Sequence, residues 1–141
     1  MSEQDLINAA KAPTIAYNKK DWGGVKAAIT ADFVCEEIGT QRKFNGPDQV
    51  LEGWKGWAAA VPDSQASIDD AFVSGNKVVL EVTWRGKHTG PLQTPRGVIP
   101  ATGKSIELRA CQVLEVEGGK AKTMRHYFDM ASFMQQLGLA G

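Results

Sequence analysis

The sequence predicts an α+β domain in which helices cover one face of a curved antiparallel sheet. Apolar residues recur at helical spacing as far as residue 60, and alternating, strand-like segments dominate from residue 66 onward. Two glycine-containing turn dipeptides, at 75–76 and 118–119, separate pairs of these segments and predict hairpins. The 141 residues fit one domain, over residues 1–141, with a core large enough to enclose a cavity.

The first half of the chain contains the signals of three helices and one strand. Ser2 and Asp5 have the spacing of a capping box at a helix start, and Asp21 can cap a second helix. Pro13 is expected to kink or restart the first helix, because its ring clashes with the preceding turn. Pro47 lies near the first turn of the third helix, where proline is favoured. The expected elements are helices over residues 2–17, 21–29 and 46–60 and a strand over residues 32–38.

The second half of the chain alternates between apolar and polar residues. Strands are expected over residues 66–74, 77–88, 104–117 and 121–128, and a short helix over residues 130–139. Residues 89–103 contain three prolines and three glycines, which predicts a long loop. A loop of that length is uncommon in a compact domain and is often functional.

Composition excludes several classes of partner. The chain has 16 Lys+Arg against 16 Asp+Glu with no basic run, which argues against a nucleic acid as its partner. No apolar run reaches the ~18 residues of a membrane span, and acidic Glu3 and Asp5 lie where a secretory signal would be basic. The two cysteines and two histidines lie far apart, which predicts no disulfide framework and no metal site. We therefore expect a cytoplasmic protein without a metal or cofactor.

The C-terminal third carries a set of short motifs. They are Ala-Thr-Gly-Lys-Ser at 101–105, Glu-Gly-Gly-Lys at 117–120, Met-Arg-His-Tyr-Phe-Asp at 124–129 and Gln-Leu-Gly at 136–138. This pattern resembles the SnoaL-like polyketide cyclases and the limonene-epoxide-hydrolase-like proteins of the NTF2-like superfamily. The resemblance implies a cystatin-like cone of curved antiparallel sheet, closed by about three N-terminal helices around one deep apolar pocket. It also implies a homodimer formed through the outer face of the sheet.

Strand alternation and the family pattern together indicate which residues line that pocket. Met124, His126 and Phe128 share one face of the last strand, because successive side chains of a strand point to opposite faces. The resemblance implies that this face is the inner one. The expected substrate-binding residues are Trp22, Phe33, Cys35, Trp54, Trp57, Val82, Trp84, Leu108, Ala110, Gln112, Met124 and Phe128.

Comparison with the family's catalytic groups identifies the candidate acid and base. Epoxide hydrolysis is not expected, because Trp84, His126 and Val82 stand where the hydrolases have two aspartates and an arginine. The cyclases have an inward carboxylate at the position of His126. A histidine there is the first candidate base, and its usual pKa of about 6.5 predicts a pH profile near neutrality. Glu37 is the second candidate, and Asp129 is either a third or the N-cap of the last helix.

The resulting function prediction is a cofactor-independent acid/base enzyme acting on a small apolar or aromatic carbonyl compound. The reaction would be an aldol cyclisation or an isomerisation that begins with proton removal next to the carbonyl. Two alternatives remain open at this point. One is a small-molecule binding domain without catalysis, and the other is a dimeric domain whose pocket is only a packing remnant.

Overall fold

A six-stranded sheet forms the centre of the fold in a computed structural model that describes residues 1–94 and 96–139. The strands occur in the order β2-β1-β8-β7-β4-β3. Their bounds are β1 Ile29–Glu37, β2 Arg42–Asn45, β3 Gln65–Ser74, β4 Lys77–Lys87, β7 Ser105–Glu117 and β8 Lys120–Phe128. A separate hairpin joins β5 Leu92–Thr94 to β6 Gly97–Ile99. The α+β prediction is confirmed.

The sheet is mixed, and the expectation of a purely antiparallel sheet is wrong at one pair. Strands β1 and β8 run parallel, with Glu37 opposite His126, while the other pairs of the large sheet are antiparallel. Parallel neighbours need a long crossover. Here the crossover includes everything between β1 and β8, and it brings the two candidate catalytic residues onto adjacent strands.

Four helices pack against this sheet. Their bounds are α1 Glu3–Asn18, α2 Trp22–Ala27, α3 Gly46–Ala60 and α4 Met130–Gln136. Helix α1 contacts β3, β4, β7 and β8, whereas α3 contacts β1 and β2. The C-terminal helix α4 packs on β7, so it joins the three N-terminal helices in covering the sheet.

Helix α1 confirms the predicted start and corrects the predicted break. The Ser2 side chain accepts the Asp5 N–H, and the Asp5 side chain accepts the Ser2 N–H, which completes the capping box. The helix nevertheless continues through Pro13 to Asn18 as one element. A proline removes one intrahelical hydrogen bond. We attribute the tolerance to packing, because Pro13, Thr14 and Tyr17 are all buried on the side of α1 that contacts the sheet.

Two other helices end earlier in the structure than the sequence predicted. Helix α2 ends at Ala27 rather than Ile29, because Ile29 already belongs to β1 and pairs with Ala121 of β8. Helix α4 ends at Gln136 rather than residue 139, where Gly138 takes a φ of +75° that a right-handed helix does not allow. The predicted strand over 32–38 therefore begins three residues late.

The segment predicted as a loop over 89–103 contains the β5–β6 hairpin. The buried side chain of Leu92 attaches the hairpin to the core. At its base the His88 backbone accepts the Gly103 N–H at 2.8 Å, and His88 Nδ1 accepts the Thr102 N–H at 3.2 Å. The prolines and glycines thus shorten the strands without preventing them. Strand β2 was missed for a related reason, since four residues are too few to show alternation.

The apolar interior is divided into two clusters. The larger one packs the inner face of the sheet against α1, α2 and α3, and the smaller one surrounds Phe133 of α4 and Leu137, which follows that helix. Trp84 packs against both clusters. Among the described residues, no helix is long and apolar enough to cross a membrane.

Candidate active site

A cavity of about 90 Å³ lies between the inner face of the sheet and the helices. One ordered water needs roughly 10–15 Å³ on the same scale, so the cavity has the capacity of a small molecule. Its wall is mainly apolar. The lining residues are Thr14, Tyr17, Glu37, Trp54, Trp57, Val61, Ser64, Trp84, Ile106, Leu108, Gln112, Met124, His126, Phe128 and Phe133.

Aromatic rings around the cavity contact one another in a nearly continuous series. Ring centroids of successive members lie 5.2 to 6.3 Å apart, within the range of edge-to-face contacts. Such contacts fix the rings in place and leave their faces and edges for a ligand. The series runs in the order Trp54, Tyr17, Trp84, His126, Phe128, Trp57 and Phe133.

His126 lies in this series and accepts a hydrogen bond from Trp84. The indole Nε1 lies 3.2 Å from His126 Nε2, and because an indole only donates, Nε2 carries the lone pair of the neutral ring. Burial lowers the pKa of His126 to about 4, since a charged imidazolium would lose its hydration. The usual histidine pKa predicted a change of activity with pH near neutrality. The lowered pKa of His126 moves that expected change to acidic pH.

Glu37, only 2% exposed, is surrounded by hydrogen-bond donors. Its Oε1 accepts from Arg42 Nε at 3.1 Å, Arg42 Nη2 at 2.8 Å and Thr40 Oγ1 at 2.8 Å. Its Oε2 accepts from Trp57 Nε1 at 2.7 Å. The Arg42 guanidinium also lies over the Trp57 ring, 5.6 Å from its centroid. The carboxylate therefore fixes the position of Trp57 in the wall.

Gln112 is the neighbour of His126 on the adjacent strand. The two residues are paired across β7 and β8, and both line the cavity. The Thr14 hydroxyl donates to Gln112 Oε1 at 3.1 Å, which fixes the orientation of the amide. Within residues 1–94 and 96–139, the amide NH₂ group donates to no side chain or backbone oxygen, so it is available to a ligand.

A pair of hydroxyl groups forms a second polar part of the wall. Tyr17 Oη and Ser64 Oγ lie 2.7 Å apart, and each residue is 5% exposed. Burial raises the pKa of Tyr17 to about 12, so the phenol stays protonated. Lys20 Nζ donates to the Ser64 backbone oxygen and lies 4.4 Å from the centroid of the Tyr17 ring.

The cavity wall includes many of the residues expected from the sequence. These are Glu37, Trp54, Trp57, Trp84, Leu108, Gln112, Met124, His126 and Phe128. Six other expected residues lie elsewhere, namely Trp22, Phe33, Cys35, Val82, Ala110 and Asp129.

Most of the misplaced residues lie on the inner face of the sheet, as strand alternation predicts, but outside the cavity. Phe33, Cys35 and Val82 point inward as expected, but the packed core covers them, and each is at most 1% exposed. Burial also raises the pKa of the Cys35 thiol to about 12, which fits an inert apolar side chain. Ala110 lines a separate surface depression together with Tyr127 and Asp129. A common face therefore does not place every residue of a long strand in the cavity.

Trp22 and Asp129 are misplaced for local reasons. Trp22 packs edge-on against Tyr17, behind the wall, with ring centroids 5.8 Å apart. Asp129 is the N-cap of α4 and accepts the Ala131 N–H at 3.0 Å and the Ser132 hydroxyl at 2.7 Å. These hydrogen bonds hold the pKa of the exposed Asp129 carboxyl below its usual value. Capping, the alternative role, is the one its position fits.

Six lining residues were not expected from the sequence, namely Thr14, Tyr17, Val61, Ser64, Ile106 and Phe133. The helical period does place Thr14 and Tyr17 on the apolar side of α1, but it cannot tell which strand they face. Ser64 lies between α3 and β3 and carries no local signal. In the part of the chain that the structure describes, no group of three His, Cys, Asp or Glu side chains could hold a metal ion.

Comparison with known proteins gives one family and many similar folds. The family model of the SnoaL-like polyketide cyclases matches residues 8–137. No curated protein matches the chain.

Three solved structures illustrate the range of similar folds. IdmH from Streptomyces antibioticus, a candidate polyketide cyclase, is 21% identical with a TM-score of 0.80, over 95% of this chain and 99% of that one. An LEH-like epoxide hydrolase from M. tuberculosis is 22% identical with a TM-score of 0.73, over 95% and 90%. A Catenulispora acidiphila protein with a ketosteroid isomerase-like fold, in complex with trimethylamine, is 17% identical with a TM-score of 0.78, over 93% and 92%. At these identities the similarity establishes the NTF2-like fold.

Proposed function

Because the chain belongs to the SnoaL-like polyketide cyclase family, we propose that it is a cofactor-independent enzyme that moves a proton next to a carbonyl group. The ligand would be a small apolar or aromatic carbonyl compound, and the reaction an aldol cyclisation or a double-bond isomerisation. The observation that supports this best is a neutral, half-buried histidine beside an unpaired amide donor in an aromatic cavity. A base and an oxyanion donor are the two groups that enolisation requires.

His126 is the proposed base. With a pKa of about 4 it is unprotonated at neutral pH, although it is a weak base. Bases of this strength do support enolisation where donors stabilise the developing oxyanion, as the aspartate of ketosteroid isomerases does with a pKa of about 4.6. The Trp84 N–H bond to Nε2 is at the long end of the normal range, at 3.2 Å. A ligand C–H that approaches Nε2 would displace it.

Gln112 and Trp84 are the proposed donors to the carbonyl oxygen. The Gln112 amide lies across from His126 in the strand pair, so it can reach an oxygen next to the carbon that His126 deprotonates. The Trp84 N–H, once displaced from Nε2, can donate to the same oxygen. Both donors act in an apolar cavity, where a hydrogen bond to a developing charge is stronger than in water.

Glu37 has a different proposed role from the acid/base function expected from the sequence. Three donors surround its Oε1, and the Trp57 N–H donates to one lone pair of its Oε2, so most of the acceptor capacity of the carboxylate is already used. We therefore assign Glu37 as a positioning residue that holds Trp57 against the cavity.

The size of the cavity limits the ligand. Its volume of about 90 Å³ is several times that of one water on the same scale, which fits a small molecule. The apolar wall and the zero net charge of the chain both favour an uncharged ligand. Rings stacked edge-on to one another would contact a flat ligand on several sides.

The proposal can be tested without the natural substrate, by exchange of α-protons. The protein is incubated in D₂O with cyclohexanone, acetophenone and 1-indanone, and loss of the α-proton signals is followed by NMR. Wild-type protein should accelerate exchange of at least one ketone over buffer. His126→Gln should lower that acceleration by about 100-fold or more, the usual contribution of a general base.

Arg125→Ala is the matched control, because Arg125 is adjacent to His126 in β8 and points to the opposite face. It should leave the exchange rate within about twofold of wild type. Exchange no faster than in buffer, or equal exchange in wild type and His126→Gln, would refute the proposed function.

The alternative is a binding domain without catalysis. It is favoured by one observation, namely that Trp84 already occupies the His126 lone pair while Arg42, Thr40 and Trp57 occupy Glu37. Quenching of tryptophan fluorescence by 1-indanone, without any α-proton exchange, would support this alternative.

A further inference from the structure

We propose that Tyr17, paired with Ser64, is the general acid of the reaction, and that it protonates the ligand oxygen on which negative charge forms when a carbon–carbon bond closes. The proposal rests on the proposed function, because it assumes that His126 generates the enolate. It adds a second catalytic group on a different part of the cavity wall. It also distinguishes ring closure from isomerisation, since an isomerase has no second oxygen to protonate.

The hydroxyl pair has a proton to give. Tyr17 Oη and Ser64 Oγ lie 2.7 Å apart, and their mutual hydrogen bond uses one of their two hydrogens. Both residues line the cavity and are almost completely buried. A hydroxyl hydrogen is thus left over at the wall of an apolar cavity, where an unpaired polar group is unfavourable. A ligand oxygen would satisfy it.

The position of the pair suits a second ligand oxygen rather than the first. The Trp84 ring contacts both Tyr17 and His126, with ring centroids 5.3 Å and 5.9 Å away. The Gln112 amide lies beside His126, whereas the hydroxyl pair lies at the ends of α1 and of the α3–β3 connection. The Trp84 indole therefore lies between two groups. His126 and its neighbour Gln112 are on one side of it, and the hydroxyl pair is on the other.

Lys20 stabilises the charge that Tyr17 acquires when it gives up its proton. Its ammonium group lies 4.4 Å from the centroid of the Tyr17 ring, and it is anchored by donation to the Ser64 backbone oxygen. A cation over an aromatic ring is attracted by the negative face of the ring. The attraction increases when the ring becomes a tyrosinate.

The proposed step conserves atoms and charge. His126 Nε2 removes a proton from the carbon next to the first carbonyl, and the electron pair of that C–H bond forms the enolate. The enolate carbon bonds to the second carbonyl carbon, whose π electrons move onto its oxygen. That alkoxide takes the Tyr17 hydroxyl proton, and the proton on His126 returns to Tyr17 through water. No co-reactant is consumed.

Heptane-2,6-dione is the probe that separates the two groups, because its aldol closure gives 3-hydroxy-3-methylcyclohexanone. The same NMR sample reports α-proton exchange and ring closure. In Tyr17→Phe ring closure should fall by about 100-fold, and by far more than α-proton exchange falls in the same sample. Ser64→Ala should lower ring closure by about tenfold, the effect of one lost hydrogen bond.

Tyr127→Phe is the matched control, because it removes the same hydroxyl from a tyrosine that is 41% exposed and lies outside the cavity wall. It should change neither rate. Ring closure that is absent in wild type, retained in Tyr17→Phe, or lost together with exchange would overturn the proposal. If wild-type protein catalyses no exchange of any ketone, the proposed function itself fails, which is a separate outcome.

Discussion

His126 shows how burial changes a residue that the sequence identifies correctly. Its place on the inner face of β8 follows from strand alternation and from the family motif. Its protonation state does not, because the pKa of about 4 results from burial among Trp84, Phe128 and the rest of the wall. The depth of burial depends on helix packing, which a strand pattern does not contain.

The lowered pKa predicts a specific pH dependence of stability. The unfolded His126 has a pKa near 6.5 and the folded one about 4, so between these values the unfolded state binds more protons. The contribution of His126 to the free energy of unfolding is therefore constant above pH 6.5 and decreases as the pH falls toward 4. The loss should be on the order of 2–3 kcal/mol in urea unfolding.

His126→Phe is the control for that measurement, because it keeps an aromatic ring and removes the titrating group. Carboxylates such as Asp129, whose folded pKa is also lowered, contribute to acid unfolding in both proteins. The difference between the two urea series isolates His126. Parallel stability curves from pH 7 to pH 4 would show that the pKa of His126 is not lowered by its surroundings in the folded protein.

At the scale of elements, long periodic segments were predictable and short or exceptional ones were not. The strands β4, β7 and β8 and the helix α3 were predicted within three residues, because each is long enough to show its period. The hairpin β5–β6 and the strand β2 have three or four residues each, and tertiary contacts stabilise them. Helix α1 passes through Pro13 for the same reason.

The junction between α3 and the β5–β6 segment gives a test at this scale. The Gly90 N–H donates to the Ala60 backbone oxygen at 3.0 Å, and a Cβ on Gly90 would collide with the Ala59 carbonyl. Gly90→Ala should therefore destabilise the protein by about 1–3 kcal/mol in urea unfolding.

Gly56→Ala provides the contrast, since a Cβ at Gly56 in the middle of α3 would meet nothing. Alanine is the better helix former, so this change should stabilise the protein by up to about 1 kcal/mol. Destabilisation of similar size by both changes would contradict the close packing described at Gly90.

At the scale of the whole molecule, the outer face of the sheet suggests how copies associate. Strand register places Phe72, Val79 and Val113 side by side across β3, β4 and β7, and Phe72 is 52% exposed. Their neighbour Val78 is buried, so the row lies on the face away from the core. We propose that this row forms the centre of a homodimer interface.

Light scattering during size-exclusion chromatography tests the dimer. Wild-type protein at tens of micromolar should have twice the mass of the chain, and Phe72→Lys should shift it toward the monomer, because it places a charge in the apolar row. Lys77→Ala, at the exposed end of β4, serves as a control and should remain dimeric. A monomeric wild type would contradict the interface.

The fold, the inner face and the aromatic character of the cavity were predictable from the sequence, because they depend on periodicity and on the family motif. The polar groups contributed by α1 and by the α3–β3 connection were not, since they reach the cavity only through tertiary packing. Tyr17 and Ser64 are 47 positions apart and share no pattern. The role of Glu37 likewise depends on donors outside its own strand, whereas the capping role of Asp129 is local and was one of the two roles that the sequence indicated.

The rate of ketone α-proton exchange as a function of pH tests the central claim, that His126 is a neutral base in the wall of a catalytic cavity. With a His126 pKa of about 4, the exchange rate catalysed by the wild type should be constant from about pH 5.5 to pH 8 and should fall below that range with a midpoint near pH 4. The midpoint should be absent from the residual activity of His126→Gln. A midpoint near 6.5, or a profile shared by wild type and variant, would contradict the claim.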